Sequence, residues 1–166
     1  MKKYKVAIIG GGNIGTSLAK GLIRSEQFTA EEIILSEKRE SRIDFLRKNG
    51  FTVTDNNNEA ISSATLVIIA VKPQQFRMLK DEIKTKLNLQ HFLISTVTGI
   101  SHKDIETEFG PVPNVRIMPN TALEICESMT CISFRNTTPK QEKIVVDMFE
   151  KMGKTIIITE DLMDAA

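Results

Sequence analysis

The feature that most constrains this 166-residue chain is a run of three glycines set directly behind a short apolar stretch. Tyr4–Ile9 is rich in β-forming residues, and Gly10-Gly11-Gly12-Asn13-Ile14-Gly15 follows with the spacing G-x-G-x-x-G. Asn13–Arg24 then places Ile14, Leu18, Leu22 and Ile23 on one helical face. In a strand–turn–helix unit each glycine has a separate task. Gly10 permits the tight turn, Gly12 lets backbone approach a pyrophosphate, and Gly15 lets the helix pack closely on the strand. The helix N-terminus adds free N–H groups and a partial positive charge. The pattern alone is weak, but between an opening strand and an amphipathic helix it points to a dinucleotide cradle. The alternative is a glycine turn with a structural role only. A P-loop is excluded, because no Gly-Lys-Ser/Thr follows.

The rest of the chain alternates in the same way. Strands are expected at Glu32–Leu35, Phe51–Thr54, Thr65–Val71, His91–Thr98, Val115–Met118, Thr130–Phe134 and Lys154–Thr159. Helices are expected at Ser41–Lys48, Asn57–Ser63, Pro73–Leu87, Ser101–Phe109 and from the capping box Thr138-Pro139-Lys140-Gln141 to Met152. Repeated β-α-β units with apolar strands imply an α/β fold: a Rossmann-type, doubly wound, mostly parallel sheet with helices on both faces. One domain is expected at this length. With 22 Lys+Arg against 21 Asp+Glu the balance is nearly neutral, so no nucleic-acid partner is expected, since such a grip needs clustered cations. No apolar run nears the roughly 20 residues of a membrane span. Cys126 and Cys131 match no zinc or redox spacing, and reduced structural thiols in a cytoplasmic protein are expected. No Ser/His/Asp or metal constellation is present: His91 opens a strand and His102 lies in a helix first turn.

About 20 residues beyond the glycines, Ser36-Glu37-Lys38-Arg39 ends the second strand, where an adenosine ribose is usually read. A carboxylate at Glu37 would accept from a ribose 2′-OH and favour NAD. Lys38, Arg39 and Arg42 would attract a 2′-phosphate and favour NADP. The residues leave that choice open.

Four segments stand together in a recognisable order: the glycine turn, Ala70-Val71-Lys72-Pro73, Ser95-Thr96-Val97-Thr98-Gly99-Ile100-Ser101, and Arg116-Ile117-Met118-Pro119-Asn120-Thr121. In this set the chain resembles the N-terminal cofactor-binding domain of pyrroline-5-carboxylate reductases, and the resemblance runs over essentially all 166 residues. It implies NADPH as cofactor, with NADH as an alternative, and 1-pyrroline-5-carboxylate as substrate, reduced to proline. It implies that Ile9, Gly10, Gly11, Gly12, Asn13 and Ile14 line the pyrophosphate. Ser36, Glu37 and Lys38 would lie by the adenosine ribose and Asn57 on the adenine side. Ala70, Val71, Lys72 and Pro73 would pass under the cofactor, Thr96, Val97 and Thr98 would flank the nicotinamide, and Asn120 would sit near it. Chemistry would rest with the hydride carrier, and no side chain is expected to be catalytic. Residues 1–160 would form this domain, and 161–166 would begin a helical domain that supplies substrate contacts and a homo-oligomer interface. The departures are Ala122, where the family usually has proline, and Cys126 and Ser128 in place of two glycines.

Each segment also has a plainer reading. Lys72 fits a solvated first-turn residue, Asn120 a turn-closing side chain, and Asn56–Asn58 ordinary loop residues. Two other functions remain open: a different dehydrogenase of this fold, acting on hydroxy acids or coenzyme F420, and a nucleotide-sensing module.

Overall fold

The computed structural model describes residues 3–165, and Met1, Lys2 and Ala166 lie outside it. The strands are β1 (Val6–Ile9), β2 (Ile33–Ser36), β3 (Thr52–Thr54), β4 (Leu66–Ile69), β5 (Phe92–Ser95), β6 (Asn114–Met118), β7 (Ser128–Arg135) and β8 (Gly153–Ile157). They form one sheet in the order β3-β2-β1-β4-β5-β6-β7-β8. Every pairing is parallel except β6 with β7. The helices are α1 (Asn13–Arg24), α2 (Glu40–Lys48), α3 (Asn57–Ser63), α4 (Pro73–Ile83), α5 (His102–Phe109) and α6 (Pro139–Glu150). This is the doubly wound α/β architecture expected from the alternation of elements.

Alternate residues of a strand face opposite sides of a sheet, and β1 shows the consequence. Val6 and Ile8 enter a core with Leu18 and Leu22 of α1, Leu46 of α2 and Phe149 of α6. Ala7 and Ile9 enter a second core with Ile61 of α3, Phe76 of α4 and Ile105 of α5. A strand covered on both faces must be apolar throughout, which is why Val6–Ile9 is an unbroken buried run.

Several boundaries differ from expectation, with β4 ending at Ile69 and β5 at Ser95 and the residues after each left to the rim, and three further differences shape the fold. The fourth helix stops at Ile83, where Lys86 N–H turns to the Ile83 carbonyl and tightens the chain before Leu87. The segment after β6 contains a 3₁₀ turn, Thr121–Ile125, set by the Asn120 side chain accepting from Ala122 N–H. That short connection reverses the chain, so β7 runs antiparallel to β6. β7 is also longer than expected because it is paired on both sides, with Ser128 opposite Gly153 at one end and Asn114 opposite Arg135 at the other.

The C-terminal residues fold back as a 3₁₀ turn, Glu160–Ala165. Glu160 accepts from the His102 backbone N–H and pairs with the buried Arg116 at 2.9 Å. Met163 is 1% exposed, whereas its neighbour Leu162 is 52% exposed. The turn rolls one apolar side chain under and the other out. Among the described residues, no helix is long and apolar enough to cross a membrane.

Behind this turn, His102 is 3% exposed, with Nδ1 at the Asn114 Oδ1 and Nε2 3.1 Å from the Ser133 hydroxyl. Asn114 donates its own amide to Val112 O, which fixes Oδ1 as the acceptor facing the ring. Nδ1–H therefore donates, Nε2 accepts from Ser133, and the neutral imidazole is fully paired. Burial lowers the His102 pKa and outweighs the Asn114 hydrogen bond. Below the ordinary value of 6.5, the unfolded chain thus takes up a proton that the folded chain resists, and stability falls as pH falls through that window. Urea unfolding between about pH 7.5 and pH 5.5 is expected to show this slope, and His102→Gln to flatten it.

Candidate functional site

In an open parallel sheet the ligand crevice lies beyond the carboxyl ends of the strands, where the strand order reverses. Here that point falls between β1 and β4: β2 and β3 extend one way from it and β4 to β6 the other. Backbone hydrogen bonds tie the strand ends into a continuous rim. Gly10 N–H donates to Ser36 O at 2.9 Å, Ala70 N–H to Ile9 O at 2.8 Å, Thr96 N–H to Ile69 O at 3.0 Å and Glu37 N–H to Thr54 O at 3.0 Å. All the segments singled out in the sequence up to Thr98 therefore meet along one edge.

The glycine turn sits at the middle of that edge. Gly10 has φ +109°, and a Cβ there would lie 2.5 Å from the Ala70 carbonyl oxygen. A Cβ on Gly15 would lie 1.9 Å from the Gly10 carbonyl oxygen. These two positions admit only glycine, for reasons internal to the fold. Gly12 is different. Its backbone is extended, and a Cβ would meet nothing within 4 Å. The open face of the turn is at Gly12, directly before the first turn of α1, which carries no acidic residue and no side-chain cap. Free N–H groups and the helix dipole at that spot suit an anionic pyrophosphate.

On the β2 side, Glu37 is buried and its carboxylate is already engaged. It accepts from Lys38 N–H and Arg39 N–H, both at 3.0 Å, and from the Arg39 guanidinium at 3.1 and 3.0 Å. Burial by itself would raise the Glu37 pKa, but the Arg39 and Lys38 hydrogen bonds and the Arg39 charge together hold it below the usual carboxylate range. The Arg39 side chain remains 65% exposed. Ser36 Oγ donates to Asn57 Oδ1 at 2.6 Å, and Asn57 Nδ2 donates to Glu82 at 2.9 Å. Glu82 also pairs with the exposed Lys38 at 3.1 Å. Asn57 is thus a buried link between β2, α3 and α4, and Asn56 caps α3 through Glu59 N–H.

The other segments divide by exposure. Asn13, Lys38, Lys72, Pro73, Thr98 and Asn120 are exposed; Ile14, Ala70, Val71 and Thr96 are half-buried. Ile9 and Val97 point into the second core, so only their backbone faces the rim. Gly11 is buried, and a Cβ on it would press on Leu46 at 2.6 Å. Lys72 precedes the helix-opening Pro73, and its N–H donates to Gln75, which closes the start of α4. Asn120 spends its side-chain oxygen on the turn that follows it. Two contacts were not visible from sequence spacing: the grip of Glu82 on Asn57 and Lys38, and that of Arg42 on the glycine turn, where its Nε lies 2.7 Å from Gly11 O. Both join residues far apart in the chain, and no local pattern marks them.

Residues 5–99 match the family profile described as NADP oxidoreductase, coenzyme F420-dependent. The chain is 36% identical to pyrroline-5-carboxylate reductase 1 of Dictyostelium discoideum, over 97% of its own length and 32% of that protein's. It superposes on a solved pyrroline-5-carboxylate reductase of Coxiella burnetii with a TM-score of 0.86 and 27% identity, covering 96% of this chain and 61% of that one. The Plasmodium falciparum pyrroline carboxylate reductase, solved with NADP bound, shares the fold at a TM-score of 0.84 and 24% identity, over 99% and 61% of the two chains. The chain therefore spans between about a third and three fifths of the proteins it resembles.

The geometry separates folding from binding at two neighbouring glycines. Gly12→Val is expected to unfold within about 1 kcal/mol of wild type, the range of a helix-cap change, yet to lose at least about tenfold in dinucleotide affinity. Gly10→Ala is expected to cost about 1–3 kcal/mol in stability through the clash with Ala70. Urea unfolding beside a fluorescence titration with NADPH measures both.

Proposed function

The chain belongs to the coenzyme F420-dependent NADP oxidoreductase family, and from that premise we propose that it is the cofactor-binding part of a pyrroline-5-carboxylate reductase using NADPH. The observation that carries this reading is the coincidence of an open Gly12 face with the start of α1, in a chain similar to these reductases over 97% of its length. The bound nicotinamide would supply a hydride to the C=N carbon of 1-pyrroline-5-carboxylate, the nitrogen gaining a proton to give proline.

The residues of this chain hold and orient. Ile9 to Ile14 would line the pyrophosphate, with the free backbone N–H groups coming from beyond Gly10, whose own N–H is held by Ser36 O. Ser36 and the Glu37–Arg39 pair border the ribose, with Asn57 fixing Ser36 from behind. Ala70 to Pro73 form the floor, and Thr96 to Thr98 stand beside the nicotinamide with Asn120 near them. NADPH is favoured over NADH by the family description and because the Arg39 guanidinium engages the Glu37 carboxylate, which is then no free acceptor for a ribose 2′-OH, while the Arg39 side chain stays 65% exposed at that edge. In the same reading residues 1–160 form the cofactor domain, and 161–166 lead into a helical region that grips substrate and pairs with a second copy. A cytoplasmic site of action fits this chemistry. The family description favours one other reading, hydride exchange between NADP and a reduced F420.

Two outcomes test the proposal. Arg39→Ala should weaken NADPH binding about tenfold, the worth of one charge-assisted contact, and leave NADH binding nearly unchanged. Residues 1–166 alone should bind NADPH but oxidise it with 1-pyrroline-5-carboxylate orders of magnitude more slowly than the Dictyostelium relative, since this reading assigns substrate orientation to the helical region. Oxidation driven by F420 and not by the imine would support the other reading.

A further inference from the structure

Arg42, on the first turn of α2, is placed where a cation reaching for an adenosine phosphate could start, but its guanidinium is turned to the glycine loop. Its Nε donates to Gly11 O at 2.7 Å, and its Nη2 donates to Thr16 Oγ1 at 2.9 Å and lies 3.5 Å from Gly12 O. Thr16 Oγ1 donates in turn to the same Gly11 carbonyl at 3.2 Å. The guanidinium of Arg42 is steadied by Phe45, whose ring centre lies 4.7 Å from the guanidinium carbon. A half-buried arginine thus spans 31 residues of sequence to hold one peptide of the turn.

A peptide unit is planar, and in a trans peptide the C=O of one residue and the N–H of the next point in opposite directions. The chain has no cis peptide bonds among its described residues. Fixing the Gly11 carbonyl toward α2 therefore aims the Gly12 N–H away from α2, on the side of the turn where a Cβ on Gly12 would meet nothing. The restraint matters because glycine is the residue whose backbone most readily reorients, and three stand in succession here. An unrestrained Gly11–Gly12 peptide could flip and present its carbonyl, a partial negative charge, to the pyrophosphate.

We propose that Arg42 is a positioning residue that locks the Gly11–Gly12 peptide with its N–H toward the crevice, and so prepares the turn for the pyrophosphate of the dinucleotide. It acts through the turn and not on the 2′-phosphate. The inference rests on the dinucleotide reading of the crevice given above, and it makes a demand that reading does not: loss of Arg42 must affect NADPH and NADH alike, because both carry the pyrophosphate.

The test uses Arg42→Gln and Arg42→Lys with wild type, titrated with NADPH and NADH, together with the ¹H–¹⁵N spectrum of each free protein. Arg42→Gln is expected to lose about tenfold to a hundredfold affinity for both coenzymes by a similar factor, at an unchanged fold. Its Gly12 amide resonance should shift or broaden while those of Ile8 and Ile69 stay in place. Arg42→Lys keeps the charge but not the fork that spans Gly11 and Thr16, so it should recover only part of the loss. Full recovery by lysine would overturn the proposal in favour of charge alone. A loss confined to NADPH would overturn it in favour of a 2′-phosphate contact, and wild-type affinity in Arg42→Gln would overturn it outright. A wild-type chain that binds neither coenzyme would overturn the dinucleotide reading itself, and the proposal with it.

Discussion

The contact on which the rest of the structure depends is the approach of α1 to the end of β1. A Cβ at Gly15 would sit 1.9 Å from the Gly10 carbonyl oxygen, so the helix and the turn touch through bare backbone. Gly10 is in turn wedged against Ala70 and hydrogen-bonded to Ser36. One short segment therefore fixes three relations together: the seating of α1 on the sheet, the spacing of β1 from β4, and the closure of β1 on β2. The strand ends line up as a rim because they are bonded to this segment, directly or through the next strand. The N-terminus of α1 faces open space because Gly15 leaves it no other seat.

Much of this was legible in the sequence, and for a definite reason. Local rules govern α1, α3, β1 and β4, where apolar period, capping and glycine spacing agree with the fold. Asn13–Arg24 and Asn57–Ser63 are helices over the residues expected. The antiparallel β7 was not legible, because direction is set by the length and shape of the connection. That connection hangs on one Asn120 side chain closing a 3₁₀ turn. The burial of Met163 was hidden in the same way: it depends on Glu160 docking on Arg116 and the α5 N-terminus, two elements distant in sequence.

At the candidate site, residue types were legible and their partners were not. Glu37 and the cations after it could be located at the end of β2, yet their mixed charges left NAD and NADP evenly placed. The structure joins Arg39 to Glu37 by three hydrogen bonds, two of them from the guanidinium, so the two charges cancel and the carboxylate is no free acceptor, while the Arg39 side chain stays 65% exposed. Sequence gives the list of charges, and only geometry says which have cancelled. Asn57 follows the same rule: a polar loop residue by pattern, it is a buried strut between Ser36 and Glu82 in the fold.

The segment after β6 adds a mechanical link to α1. Lys20 of α1 pairs with Glu124 at 2.6 Å, and a Cβ on Gly21 would lie 2.4 Å from the Leu123 carbonyl oxygen. The turn that begins at Asn120 is thus pressed onto the helix whose N-terminus opens at Gly12. A hydride passes only when donor and acceptor carbons are held within near-attack distance, and small displacements cost large factors in rate. A shift of α1 would carry Thr121–Ile125 with it. The Ala122, Cys126 and Ser128 departures fall in this segment, where Cys126 takes the left-handed conformation with φ 60° and packs toward Gly21. With these residues the loop is seated on α1, which is the property that a rigid crevice requires.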